Sequence, residues 1–514
     1  MDSEEVPLDV DTEAPHTTRM LTEALLGLLL LIYLYLCVRR PPGLPPGVWG
    51  WPVLGHLPSA TLCLADQVSH LRQVYGDVIT WRIGSRTFVF LCDFDLIKTS
   101  LARSEFTARP DFVTYRAYGV GYKSGIIFNS GSPWQANRRF VLRYLASAKT
   151  RLEETIQQEA TSLVEDFRRH AGQQPQELPP SCGVAVLNVI LRLVADHRYD
   201  LDDPRGHEAF QLVSSGTQNM QGPVVLFNFF PWLEAVAPSF VRRKLGLDKL
   251  LQSIQDIHAY IMEFIEKHET SLDPAKPRDL LDAYMVEMHN QRHEEDATMN
   301  LEALRAVVTD LLGGGTETTA ATVRWALLYL AKYPEVQARV RREIDDALPN
   351  GTVPSLQDKE RLPYLQAVVH EVHRIVSFIP LGAARWTNQD TELHGHTIPK
   401  GCVVVGHLEG CHRDPRYWQK PNLFYPQHFL DQKGNFLPKK EGFFPFSTGY
   451  RSCVGEDVAS TGVFVLLIEL LRNFTFTAPE GEDLSTERDP QEFVFNFPKA
   501  FRVIVAQRKG RSNI

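Results

Sequence analysis

Residues 446–455 of the chain read Phe-Ser-Thr-Gly-Tyr-Arg-Ser-Cys-Val-Gly, and a strongly apolar stretch with helical character, 458–471, follows at once. Cys453 therefore lies just before a predicted helix. A thiolate at a helix N-terminus is stabilised by free backbone N–H groups and by the helix dipole. Such a sulfur is either a nucleophile or a metal ligand, and this segment by itself leaves both roles open.

The composition is that of a globular protein with a large core. The chain has 514 residues, of which 44% are hydrophobic and 23% charged. No linker, low-complexity tract or repeat interrupts residues 45–508, so we predict one large catalytic domain. The net charge of −8 argues against a general nucleic-acid binder. The seven cysteines include no C-x-x-C pair, which argues against structural zinc or a disulfide framework.

The N-terminal region predicts a membrane anchor. Residues 21–38 are almost wholly apolar, with Glu23 as their one charge, and as a helix they would span about 27 Å. Acidic residues precede this run and Arg39-Arg40 follows it, which places the N-terminus outside the cytosol. A buried core helix is the alternative. We predict a lumenal segment (1–20), an anchor (21–38), a proline-rich hinge (39–48), a catalytic domain (49–508) and a C-terminal tail (509–514).

The predicted secondary structure is mainly α with small β-sheets, an α+β class. Strands are expected at 78–83 and 87–91, long helices from about 133 to 348, and an extended run at 493–506. One predicted helix, 300–332, contains Gly313-Gly314-Gly315 followed by Thr316-Glu317-Thr318. Each glycine costs about 1 kcal/mol in a helix. The segment is therefore either a loop between two helices or a helix opened for a flat group, with Glu317 and Thr318 beside it to deliver protons.

Three weaker patterns complete the set. Glu371 and Arg374 share one face of a predicted helix, 362–376. Trp134 and Arg138 stand one turn apart, and Arg138 with Arg451 would suit an anionic cofactor. Residues 131–152 carry five basic side chains and no acidic one, either a solvated face or a docking surface for an acidic protein. These basic residues are Arg138, Arg139, Arg143, Lys149 and Arg151.

Together these motifs resemble the cytochrome P-450 superfamily of haem-thiolate monooxygenases over about residues 41–508, and most of all its microsomal drug- and steroid-metabolising branch. The cysteine segment fits the signature F-x-x-G-x-R-x-C-x-G at every fixed position, and residues 314–319 fit the oxygen-binding segment. The resemblance implies structural roles for Glu371 and Arg374, with His428 in a position where much of the superfamily has arginine.

The resemblance implies the cytochrome P-450 fold and haem b (iron-protoporphyrin IX), with Cys453 as the axial iron ligand. Gly449 would permit the turn, Gly455 would let the following helix approach the haem, and Phe446 would shield the sulfur. The remaining site residues implied are Arg138, Arg385 and Arg451 for the propionates, Trp134 in support, and Glu317 and Thr318 for proton delivery.

The implied reaction inserts one oxygen atom of O2 into a lipophilic molecule: a steroid, fatty acid, terpenoid or xenobiotic. Electrons would come from NADPH through NADPH–cytochrome P-450 reductase, with cytochrome b5 as a second donor, docking on residues 138–151. The implied location is the endoplasmic reticulum membrane, with the domain facing the cytosol. Two rivals stay open: a membrane-tethered haem-thiolate protein that binds a ligand without turnover, and a hydrolase or transferase with a cysteine nucleophile.

Overall fold

The structure is a computed structural model, and it describes residues 16–59, 61–118, 125–291, 298–349, 351–490 and 493–508. Most of the predicted lumenal segment and the whole predicted tail, 509–514, lie outside these residues. Helices dominate, as predicted. In chain order they are α1 (His16–Val38), α2 (Leu64–Tyr75), α3 (Phe94–Leu101), α4 (Val113–Tyr118), α5 (Gly131–Ser147), α6 (Lys149–His170), α7 (Ser181–Ala195), α8 (Pro204–Gln218), α9 (Leu226–Phe229), α10 (Leu233–Val236), α11 (Ser239–Lys244), α12 (Leu247–Ser271), α13 (Leu280–Asn290), α14 (Leu301–Lys332), α15 (Pro334–Ala347), α16 (Pro363–Val376), α17 (Leu408–His412) and α18 (Glu456–Asn473).

The strands form one five-stranded sheet and two separate antiparallel pairs. Sheet order is β1-β2-β3-β7-β4, with β5-β6 and β8-β9 apart from it. The strands are β1 (Gly47–Val48), β2 (Val78–Ile83), β3 (Arg86–Leu91), β4 (Arg385–Trp386), β5 (Thr391–Leu393), β6 (His396–Ile398), β7 (Val403–Gly406), β8 (Phe474–Thr477) and β9 (Ile504–Gln507).

Both predicted N-terminal strands are confirmed, and they pair with each other antiparallel. The predicted extended run at 493–506 is wrong for most of its length, because only β9 at its end is a strand. Pro498 interrupts the run and cannot donate to a strand ladder. The backbone N–H of Asn496 instead donates to the carbonyl of Phe378, so this segment packs against the end of α16.

The predicted hinge and the predicted anchor lie in different elements of the structure. Leu44 is buried and β1 pairs parallel with β2, so the last residues of the 39–48 segment belong to the sheet. Residues 21–38 lie within helix α1. Within the part of the chain that the structure describes, no helix combines the length and the apolar character needed to cross a membrane.

Helix α14 runs unbroken through the centre of the protein, so the alternative of a loop at the three glycines is wrong. Asn300 begins the helix by accepting the backbone N–H of Ala303 with its side chain. Buried apolar residues on several sides of α14 pack into two large core clusters. This tertiary packing offsets the roughly 3 kcal/mol that three glycines cost a helix relative to alanine.

Candidate active site

The cysteine segment is a tight loop that ends at the start of α18. The backbone N–H of Cys453 donates to the carbonyl of Phe446 over 3.0 Å. Gly449 has φ +73°, and a Cβ there would overlap the carbonyl of Leu101, so the turn requires glycine. Gly455 has no such φ, and its nearest neighbour for a Cβ would be the Cys453 sulfur at 4.0 Å.

The Cys453 thiol differs from the other cysteines that the structure describes. Its side chain is accessible, yet surrounding protein raises its pKa through burial, so the accessible surface faces a recess. The backbone N–H of Gly455 and the charge of Arg138 act to lower that pKa. Cys92 and Cys182 are buried with pKa values of about 12, and burial makes them inert. The phenyl ring of Phe446 packs against His373, with ring centroids 5.2 Å apart.

Four guanidinium groups from different parts of the chain come together beside this loop. Burial and the charges of Arg109, Arg385 and Arg138 together lower the pKa of Arg451 to about 7. Arg451 also lies over the ring of Trp134, 3.5 Å from its centroid. Sequence reasoning missed Arg109, which is followed by a proline and belongs to no recognised motif. The Arg109 guanidinium is held in place by hydrogen bonds that it donates to the carbonyls of Ile127, Ala383 and Ala384, at 2.7 to 2.9 Å.

This cluster carries more positive charge and more hydrogen-bond donors than its protein neighbours satisfy. Arg385 Nη1 and Trp134 Nε1 are buried and lack a hydrogen-bond partner among the described residues. Burial, together with repulsion from Arg109 and Arg138, lowers the pKa of Arg385. An anion with several oxygen acceptors would satisfy these donors and the excess charge. The residues present therefore fit the two propionates of a haem, which the sulfur of Cys453 would hold.

One carboxylate lies beside this cluster of arginines. Asp310 of α14 is buried and accepts the backbone N–H groups of Ile126 and Ile127. Burial raises its pKa to about 7, although those two hydrogen bonds and the charges of Arg109 and Arg451 act to lower it. Asp310 thereby ties the segment after residue 124 to the central helix. That segment in turn accepts Arg451 through the carbonyl of Asn129.

The three consecutive glycines of α14 meet three different surroundings. A Cβ on Gly313 would overlap the hydroxyl of Tyr118, which reaches over the helix from α4. A Cβ on Gly315 would lie 2.7 Å from the side chain of Ile190 on α7. Gly314 is exposed, and among the described residues the side chain near its Cβ position is that of Ile127, at 3.5 Å. Only Gly314 therefore opens the helix to a bound group, while its neighbours allow close packing.

Glu317 and Thr318 point in different directions. The Thr318 side chain is half-buried on the same face as Gly314, and its hydroxyl donates to the Gly314 carbonyl over 2.6 Å. The Glu317 carboxyl is buried on another face, where it accepts a hydrogen bond from Ser214 of α8. Burial raises the pKa of Glu317. Adjacent helical residues diverge by about 100°, which separates the two groups.

The Glu371–Arg374 pair lies in the core, not on the surface. Arg374 donates to both carboxylate oxygens of Glu371, at 2.8 and 2.7 Å, and both side chains have no exposed surface. His428 Nδ1 lies 3.1 Å from Glu371 Oε2. Arg374 also donates to three backbone carbonyls, those of His412, Pro421 and Leu423. The group pins the loop before the cysteine segment to α16.

Comparison with known proteins agrees with this geometry. The family model described as Cytochrome P450 matches residues 45–504. Cytochrome P450 2L1 of Panulirus argus is 52% identical over 494 residues, covering 95% of this chain and 100% of that protein. Cytochrome P450 2J2 of Homo sapiens is 36% identical, covering 87% and 88%. Cytochrome P450 2B4 of Oryctolagus cuniculus is 34% identical, covering 94% and 98%. The chain therefore belongs to the cytochrome P450 family and is a monooxygenase of that family.

Proposed function

We propose that this chain inserts one oxygen atom of O2 into a lipophilic small molecule, with electrons that NADPH supplies through a membrane-bound reductase. The observation that carries the proposal is the open stretch in the middle of α14, where Gly314 and the Thr318 hydroxyl share one face of a largely buried helix. A haem held through Cys453 would supply oxygen binding and activation at that face.

The residues of the chain would divide the remaining work. Arg109, Arg138, Arg385 and Arg451 would bind the propionates, and Trp134 would support Arg451 by stacking. The Thr318 hydroxyl donates its hydrogen bond to the Gly314 carbonyl. Its oxygen lone pairs can therefore accept a hydrogen bond from a group on the open side. Glu317 holds a proton more readily than an exposed glutamate because burial raises its pKa.

Replacing Thr318 by alanine tests turnover against the rival of ligand binding alone. We expect Thr318→Ala to bind haem normally while product per NADPH falls by about tenfold or more, because a positioned proton-transfer group is lost. The measurement is product by mass and peroxide release, with reductase, NADPH and a panel of lipophilic compounds. Thr309→Ala is the matched control, since its hydroxyl makes the same helix bond, to Arg305. Unchanged coupling in Thr318→Ala would contradict this role for Thr318, whereas a parent protein that forms no NADPH-dependent product would favour the non-catalytic rival.

The aromatic residues at 227–230 do not support the proposal of a lipophilic substrate. Phe227, Phe229 and Phe230 are buried in the cores, so they serve packing. The half-buried Ile127 beside Gly314 offers apolar surface at the open stretch. We propose a lipophilic substrate from this apolar setting, with steroid, fatty acid, terpenoid and xenobiotic as the candidate classes.

The proposed surface for the reductase, and for cytochrome b5, is smaller than the basic run 131–152. Arg139, Arg143 and Lys149 are exposed, whereas Arg138 turns inward to the carbonyl of Ser452 and Arg151 to that of Arg192. Exposed cations favour association with an acidic protein surface. We expect Arg139→Glu with Arg143→Glu to slow reduction by reductase at low salt. Arg243→Glu on α11 is the control, and an equal effect there would count against this surface.

We also propose a single-pass protein of the endoplasmic reticulum membrane. Leucines of α1 are exposed. Two segments beside the sheet also have exposed apolar side chains. Leu54 and Phe229 both accept backbone hydrogen bonds from the β2–β3 turn, at Gly84 and Ser85, so the two segments are neighbours. Their exposed members are Trp51, Val53, Leu54 and Leu57, then Trp232, Val236 and Phe240. Added vesicles should slow amide hydrogen exchange across both segments.

A further inference from the structure

The carboxyl of Glu317 is held by a residue outside the family signatures found in the sequence. Ser214 of α8 donates its hydroxyl proton to Glu317 Oε2. Glu317 is 4% exposed and Ser214 is 3% exposed, so bulk water does not compete strongly for this bond. Arg324, on the same helix as Glu317, is the charged group whose field acts on the carboxyl.

This contact decides the direction in which the carboxyl points. α8 packs along α14, and the bond to Ser214 holds Glu317 on the α8 side. Thr318, the next residue, faces the open side with Gly314. The hydrogen bond from Ser214 therefore acts on the position of this carboxyl and on its affinity for protons. A proton that passes from Glu317 to the Thr318 side has to leave the carboxyl in that position.

We propose that Ser214 is a positioning residue for proton delivery, which holds the Glu317 carboxyl against α8 and controls how readily it releases a proton toward Thr318. The inference rests on the proposed function. The proposed step transfers one proton from the Glu317 carboxyl to a water or hydroxyl oxygen at Thr318, and it changes no other bond. Glu317 is left as a carboxylate, which is later protonated again from bulk water.

Infrared spectroscopy of the full haem-loaded chain tests this role without turnover. The carbonyl band of protonated Glu317 is assigned as the band that Glu317→Gln removes, and its intensity is followed against pH. Removing a hydrogen bond to the ionised carboxylate favours the protonated form. We expect the midpoint of this band in Ser214→Ala to rise by about one pH unit. The share of NADPH electrons released as peroxide should rise in the same variant.

Three further variants make the result specific. Ser215→Ala removes a neighbouring hydroxyl that bonds only its own helix, at Leu212, and should behave as the parent protein. Ser214→Thr keeps the hydroxyl and should restore the midpoint. If Ser214→Ala folds poorly, Ser214→Cys, a weak donor, should give a smaller rise in the midpoint. An unchanged midpoint in both the alanine and cysteine variants would overturn the inference, whatever happens to activity. A parent protein that forms no oxygenated product with reductase and NADPH would instead reject the proposed function.

Discussion

Cys453→Ala is expected to abolish the red-shifted Soret band of the reduced carbon monoxide complex and to lower turnover at least about a thousandfold, roughly 4 kcal/mol in the barrier. The reason is the position of the thiol. It is accessible within a recess beside four arginines, and the Gly455 N–H and Arg138 offset part of the rise in its pKa that burial causes. Alanine would leave the loop bond from residue 453 to Phe446 intact, because that bond uses the backbone.

The control for Cys453→Ala is a cysteine outside the recess. Cys63 is half-buried near the start of α2, and Cys63→Ala should retain the spectrum and the activity. Absorbance of the reduced complex, haem content and product formation are measured on both variants. A red-shifted band that survives in Cys453→Ala would mean that another residue holds the metal.

Arg374→Ala is expected to destabilise the protein by about 3–5 kcal/mol, a large share of the roughly 5–15 kcal/mol that keeps a domain folded. The substitution would leave the Glu371 carboxylate buried without its main cation and would orphan three backbone carbonyls. Arg374→Lys should recover little of this loss, since lysine cannot reproduce the two-pronged contact. Chemical unfolding and the haem content of the purified protein are the measurements.

A pair with the same spacing but an exposed arginine provides the control for Arg374→Ala. Arg361 and Asp358 are also three residues apart and lie 3.3 Å from each other, but the Arg361 side chain is largely exposed. Arg361→Ala should cost less than about 1 kcal/mol. Similar losses in the two variants would contradict the view that burial makes the Glu371–Arg374 pair essential.

The helices were more predictable than the orientations of their side chains. The predicted helix 300–332 is observed as α14, because apolar residues resume at helical spacing after the glycines. Which glycine faces a ligand could not be predicted, since Tyr118 and Ile190 lie far from α14 in the chain. Glu317 and Thr318 were expected to act side by side, and a serine about a hundred residues earlier holds one of them on another face.

The sequence by itself determined the chemistry that the chain carries: a thiol before a helix, a hydroxyl and an acid after three glycines, and a glutamate and an arginine on one face of α16. Local spacing is sufficient for these because each motif is complete within about ten residues. Only the tertiary structure decided the charge balance around them. Arg109, Asp310 and Ser214 belong to no recognised motif, and they act on the site only because folding brings their charges and donors into one water-poor region.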